Sequence, residues 1–246
     1  MAPGNMLVDG SRRYVVDVDP TLVKRQFRQL LQLPDSEVPL EQLCYLICQL
    51  AGEDIDIAAL QAHHDALAAA IDPTFESILS FLFGESGHFS GNTEDYYAFD
   101  NSLLSRVQSS GRGLPITLCA HALVYAYRLG VPMVGVGMPG HFIIRCGLNT
   151  NLFGDPFHHG ATLDAAGARR LFERITGSRS QWQDSFLSQV STRDIVYRIL
   201  NNLRVAAANN PRTVIHLPWI LELTSWFPQG APFTTADANR LMARFN

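Results

Sequence analysis

The sequence predicts an α+β chain with helices at both ends and strands in the middle. Three observations carry that expectation. The stretch Pro115–Leu129 is apolar nearly all round, as a buried helix is. Strand-like segments follow it at 133–137, 141–146 and 152–157. Apolar residues recur at helical spacing before and after this middle part.

The 246 residues suffice for one large domain, or a core with a small appendage. A hydrophobic share of 47% against 17% charged residues is a globular balance, which argues against disorder of the whole chain. The net charge of −4 argues against general nucleic-acid binding, which needs a surplus of Lys and Arg. No apolar run suits a signal peptide or a membrane span, so a cytoplasmic protein is expected. Cys44, Cys48, Cys119 and Cys146 form no CxxC pair and read as reduced thiols.

Residues 1–20 read as a loose or partly extended arm. Leu22, Val23, Phe27, Leu30 and Leu31 then mark a helix over 21–33. Pro39 starts a second helix with Leu43, Leu46, Ile47 and Leu50 on one face, beside which Cys44 and Cys48 read as packing residues. A third spans 60–71, and its His63 and His64 are expected at the surface or its boundary, not as ligands. The apolar stretch 74–83 leads into a long Gly-rich loop whose aromatics favour order over disorder. Asp100-Asn101-Ser102 could cap a short helix at 103–108.

Pro115 suits the first position of the central helix, and Gly130-Val131-Pro132 stops it. Its polar exceptions Thr117, His121 and Arg128 fall within about 40° of one another, so solvent, a cleft or another element must face them. Gly147-Leu148-Asn149-Thr150-Asn151 is turn chemistry. A hairpin centred near Leu148 sets His141 opposite Asp155, with Cβ atoms about 5 Å apart. Such an aspartate fixes the tautomer and orientation of an imidazole.

Thr162 is expected to cap a helix over 162–175. Ser191 or Thr192 caps another, carrying Ile195, Val196, Ile199, Leu200 and Leu203. Helices at 213–227 (perturbed at Pro218) and 235–245 complete the chain, and these three could form a degenerate helical repeat. The expected division is an N-terminal arm and helix over 1–39, a core over 40–190 and a helical segment over 191–246.

Several ordered motifs give the chain a family resemblance: Gly91-Asn92 with Asp95-Tyr96-Tyr97, Asn101-Ser102, Arg112-Gly113-Leu114-Pro115-Ile116-Thr117-Leu118, Gly130-Val131-Pro132, Gly135-Val136-Gly137-Met138-Pro139-Gly140-His141-Phe142, Asp155-Pro156-Phe157 and Arg198-Ile199-Leu200-Asn201-Asn202-Leu203. In these the chain resembles the bacterial SirB-type transglutaminase-like proteins. The resemblance implies a papain-like core, a central helix packed on an antiparallel sheet, and a tetratricopeptide-like tail. In active transglutaminase-like enzymes the N-terminus of that helix carries a cysteine and the strands carry His and Asp. The helix end stabilises a thiolate there. Counted back from Gly130, the cysteine's slot falls on Pro115-Ile116-Thr117, which holds none.

The favoured reading is a pseudoenzyme that keeps the cleft and a vestigial His141–Asp155 pair, needs no cofactor and binds a peptide, protein or small molecule. Asn92, Asp95, Tyr96, Tyr97, Asn101, Thr117, His121 and Arg128 would line that site. One alternative is a cysteine amide hydrolase or acyl transferase using Cys119, His141 and Asp155. Against it, Cys119 sits one turn inside the helix and points about 160° from Thr117. A second alternative is a metal site drawing on His141, Asp155, His158, His159 and His88, although no ligand-spacing signature is present. Gly135 to Gly140 matches GxGxxG, but a strand follows where a phosphate-binding motif needs a helix.

Overall fold

The computed structural model describes residues 19–177 and 181–230. Helix α1 (Pro20–Leu31) starts where Asp19 accepts from the Thr21 N–H, and buries Val23 and Phe27. Helices α2 (Leu40–Leu50), α3 (Ile57–Ala68) and α4 (Phe75–Phe83) follow, the last two capped by Asp56 and Thr74. The loop after α4 is ordered by a two-residue strand, β1 (Ser90–Gly91), and a 3-10 turn at Phe99–Ser102. Helix α5 (Leu104–Ser110) has no side-chain cap, so the capping expected from Asp100-Asn101-Ser102 does not form. It ends at Gly111, whose φ of 70° is the left-handed conformation glycine favours there. Strand β2 (Arg112–Gly113) pairs in parallel with β1 and delivers the chain to α6 (Pro115–Leu129), which ends at left-handed Gly130.

The main sheet is antiparallel, in the order β3 (Met133–Val136), β4 (Ile143–Cys146), β5 (Phe153–Asp155), β6 (Ala161–Leu163). Helices on both of its faces bury alternate residues along β4 and Phe142, the residue that precedes it. Phe142, Ile144 and Cys146 join the large core around α6. Ile143 and Phe153 join a smaller core with Ala168, Leu171 and Phe172 of α7 (Ala165–Thr176). The outer edge of β3 is covered by a segment in which Val190 N–H donates to the Gly135 carbonyl at 3.0 Å. Helix α8 (Thr192–Ala208) opens with a full Ser191–Asp194 capping box, and α9 (Leu217–Thr224) packs against it.

Two further expectations are corrected. The segment at 161–163 is a strand and not the start of a helix; Asp164, not Thr162, caps α7 by accepting from Gly167 N–H at 2.6 Å. The β4–β5 hairpin pairs Ile144 with Gly154 and Arg145 with Phe153, so it is centred at Asn149 and not Leu148. Moving the centre by one residue moves the pairing by two, which leaves every side chain on its face. The arm at 1–18 and the helix expected at 235–245 lie outside the described residues. Side chains from all three expected segments, such as Phe27, Leu118 and Ile220, share the large core. Among the described residues no helix is long and apolar enough to cross a membrane.

Gly154 tests this packing. A Cβ there would stand 2.6 Å from Leu79 Cδ1, and Leu79 is itself buried. Gly154→Ala is expected to lower stability by about 1–3 kcal/mol through overpacking. Urea unfolding measures this, and an unchanged midpoint would show that α4 and β5 can part at no cost.

Candidate functional site

His141 is set by a tight turn. Its N–H donates to the Met138 carbonyl at 3.3 Å, with Pro139 and left-handed Gly140 (φ 75°) between them. Proline followed by a positive-φ glycine is the type II pattern. The two preceding glycines serve close packing. A Cβ on Gly135 would meet the Phe142 ring at 2.9 Å, and one on Gly137 would meet the Arg198 guanidinium at 2.7 Å. Arg198 in turn donates to the Gly137 carbonyl. These contacts brace the turn from α8.

Asp155 ends β5 and caps a 3-10 turn, Pro156–His158. Its Oδ1 accepts from the Phe157 and His158 N–H groups at 3.1 and 3.4 Å. Its Oδ2 accepts from His141 Nε2 at 2.9 Å and His158 Nδ1 at 2.7 Å. The expected contact of His141 and Asp155 therefore exists, reached diagonally across the hairpin. Burial alone would raise the Asp155 pKa, but the bonds and charges of the two imidazoles hold it down to about 2. The same carboxylate raises the pKa of His158, whose side chain is 50% exposed, against 4% for His141.

An aromatic strip runs outward from this cluster. The His141 ring meets Phe157 edge-on at 6.0 Å, Phe157 meets Tyr96 at 5.9 Å, and Tyr96 meets Tyr97 at 5.3 Å. Tyr97 is 75% exposed. Gly91 lies flat on Phe157, since a Cβ there would stand 2.6 Å from the ring. Asn101 is buried and organises the loop: its Nδ2 donates to the Asp95 and Tyr96 carbonyls, and its Oδ1 accepts from Asn92. Asn92 also accepts from the Asp95 N–H. Asn92 and Asn101 thus shape the loop that presents exposed Asp95, Tyr96 and Tyr97.

The central-helix stripe is corrected: it does not line an open site. Thr117 and His121 are fully buried, and Arg128 donates to Glu41 of α2 and Asp65 of α3. The polar groups facing the stripe come from other helices. Among them is His64, which is fully buried and not at the surface; its Nδ1 lies 2.6 Å from Glu41 Oε1. His121 packs edge-on to His64 and stacks on Phe89. Among the described residues neither of its ring nitrogens meets a partner of good geometry. Burial, and then the neighbouring His64, push its pKa well down, while the Leu104 backbone opposes this to a lesser degree.

Cys119 is also fully buried, and its thiol donates to the Phe142 carbonyl at 3.5 Å. It faces the chain next to His141 more closely than the helical wheel implies, yet its partner is a backbone oxygen and not the imidazole. Burial first, and then the Asp155 charge, push its pKa well up. His158 enters the sequence reading only as a candidate ligand of the metal alternative, and its bond to Asp155 is not anticipated there. Its spacing from Asp155, three residues on and past a proline, is the signal that could have shown it.

A family model described as "Transglutaminase-like superfamily" matches residues 40–201. Two curated relatives, each named "UPF0162 protein", are similar to this chain. That of Xylella fastidiosa Temecula1 is 30% identical over 76% of this chain and 71% of its own. That of Pseudomonas aeruginosa is 35% identical over 45% and 41%. Human "F-box only protein 21" is 28% identical over 50% of this chain and 24% of its own length. No solved structure matches the chain significantly.

The buried His121 gives a pH test. Its folded pKa lies below the unfolded value near 6.5, so its contribution is complete above that pH and is lost as pH falls below it. His64, Glu41, Tyr125 and Arg128 surround this region and stay in place in a His121→Phe variant. Between pH 7 and about 5 the wild type is expected to lose more stability than that variant. Parallel urea curves over this range would contradict a buried neutral imidazole.

Proposed function

The chain belongs to the transglutaminase-like superfamily, and we propose that it is a non-catalytic member that binds a peptide or protein beside its His141–Asp155 pair. The observation that carries this reading is the burial of Cys119. Its thiol is bonded to a backbone carbonyl and held protonated, while the N-terminal turn of α6 offers only Pro115, Ile116 and Thr117. An imidazole oriented by a carboxylate is thereby left without a nucleophile to activate.

The exposed tyrosines support recognition of a polypeptide. Tyr96 and Tyr97 stand on an ordered loop and present rigid, amphipathic area at small entropic cost. The SirB-type kinship, the tetratricopeptide-like tail and a cytoplasmic location read from the sequence belong to this proposal as well. A cysteine-dependent acyl transferase is the second reading. It is favoured by Cys119 lying against Phe142, the residue after His141, while the Asp155 charge opposes a thiolate there.

Thiol labelling separates the two. All four cysteines are buried, so an epoxide probe on the native protein is expected to react slowly from about pH 5 to 9. Fast labelling of Cys119 at the acid end, abolished by His141→Ala, would reveal a working thiolate and install the second reading. Recognition is tested separately by selection from a displayed random-peptide library. Enriched peptides are expected to lose about tenfold or more in affinity on Tyr97→Ala. Binders indifferent to Tyr97 would move the recognition surface elsewhere.

A further inference from the structure

We propose that His141, Asp155 and His158 form a binding site for a divalent transition-metal ion of the zinc class. One ligand atom from each residue lies within 4.8 Å of the other two, and this is a cluster of metal-ligand type among the described residues. The two imidazole nitrogens converge on one oxygen, Asp155 Oδ2, at 2.9 and 2.7 Å. The other carboxylate oxygen is anchored by two backbone N–H groups, so the carboxylate is aimed before any ion arrives. An ion would take the place of the two ring protons that now point at Oδ2. Each neutral imidazole keeps its single proton by moving it to its other ring nitrogen, and a charged one releases its extra proton to solvent.

Two imidazoles and one carboxylate are the donor set of zinc, cobalt, nickel or iron(II), and not of magnesium or calcium, which take oxygen ligands. Burial of His141 and Asp155 fixes two ligands, while half-exposed His158 leaves one side of the site to water or a bound group. Competing soft sites are few. Of the other six histidines, His64 and His121 are buried in the helical core, and all four cysteines are buried. Residues 1–18, 178–180 and 231–246 contain no histidine or cysteine. The inference does not depend on the absence of catalysis argued above.

The test is calorimetric titration of the chelator-stripped full chain with zinc chloride, and with cobalt(II) read by its visible bands. One ion per chain is expected, with a rise in Tm on adding zinc. His158→Ala should weaken binding at least about tenfold and abolish the Tm rise, while His159→Ala leaves both unchanged. His158→Gln, which keeps a donor towards Asp155, provides the same comparison if the alanine variant unfolds. Absence of binding at stoichiometric zinc, equal affinity in the His158 variants, or displacement by excess magnesium would each overturn the site.

Discussion

Between Ile116 and Ala126, helix α6 presents almost only apolar or small side chains in every direction, and eleven of its residues are buried. A helix of that kind has no face to give to water, so α2, α3, α4, α5, α8 and the sheet must all pack around it. The exceptions, Thr117, His121 and the Tyr125 hydroxyl, are buried without a hydrogen-bond partner of good geometry among the described residues. Each such group costs about 1–3 kcal/mol. Burying each of Ile116, Leu118 and Val124 contributes about 1.5–3 kcal/mol, so the apolar residues of the helix carry its polar ones inside.

That balance explains what could be read in advance. The limits of α6 follow from Pro115 and Gly130, and the structure reproduces them. The His141–Asp155 contact was also legible, because a two-residue error in register preserves the face on which both side chains stand. His64 was not legible. Nothing in its own helix signals that Glu41 and the α6 histidine wait on the other side. Strand β6 escaped for a related reason: three residues carry no period, and only pairing with β5 makes Ala161–Leu163 extended.

Asp155 joins local and distant sequence at the site. Its backbone closes β5, one carboxylate oxygen starts the 3-10 turn, and the other gathers two histidines that lie on either side of it in the chain. The loop carrying Tyr96 reaches the same place through Phe157 and Gly91. Recognition chemistry and the histidine cluster thus share one rigid turn, whatever has become of the nucleophile.

The large core also sets an order on synthesis. Phe27 of α1 lies against Trp226, ring centroids 6.3 Å apart, and Lys24 pairs with Glu222 of α9. A ribosome that has released α1 through α7 has supplied α2, against which α1 packs, but has still withheld Glu222 and Trp226. Until residues near 227 emerge, the apolar face of α1 has only part of its cover, and a nascent chain in that state offers Val23 and Phe27 to any chaperone that recognises exposed hydrophobic segments.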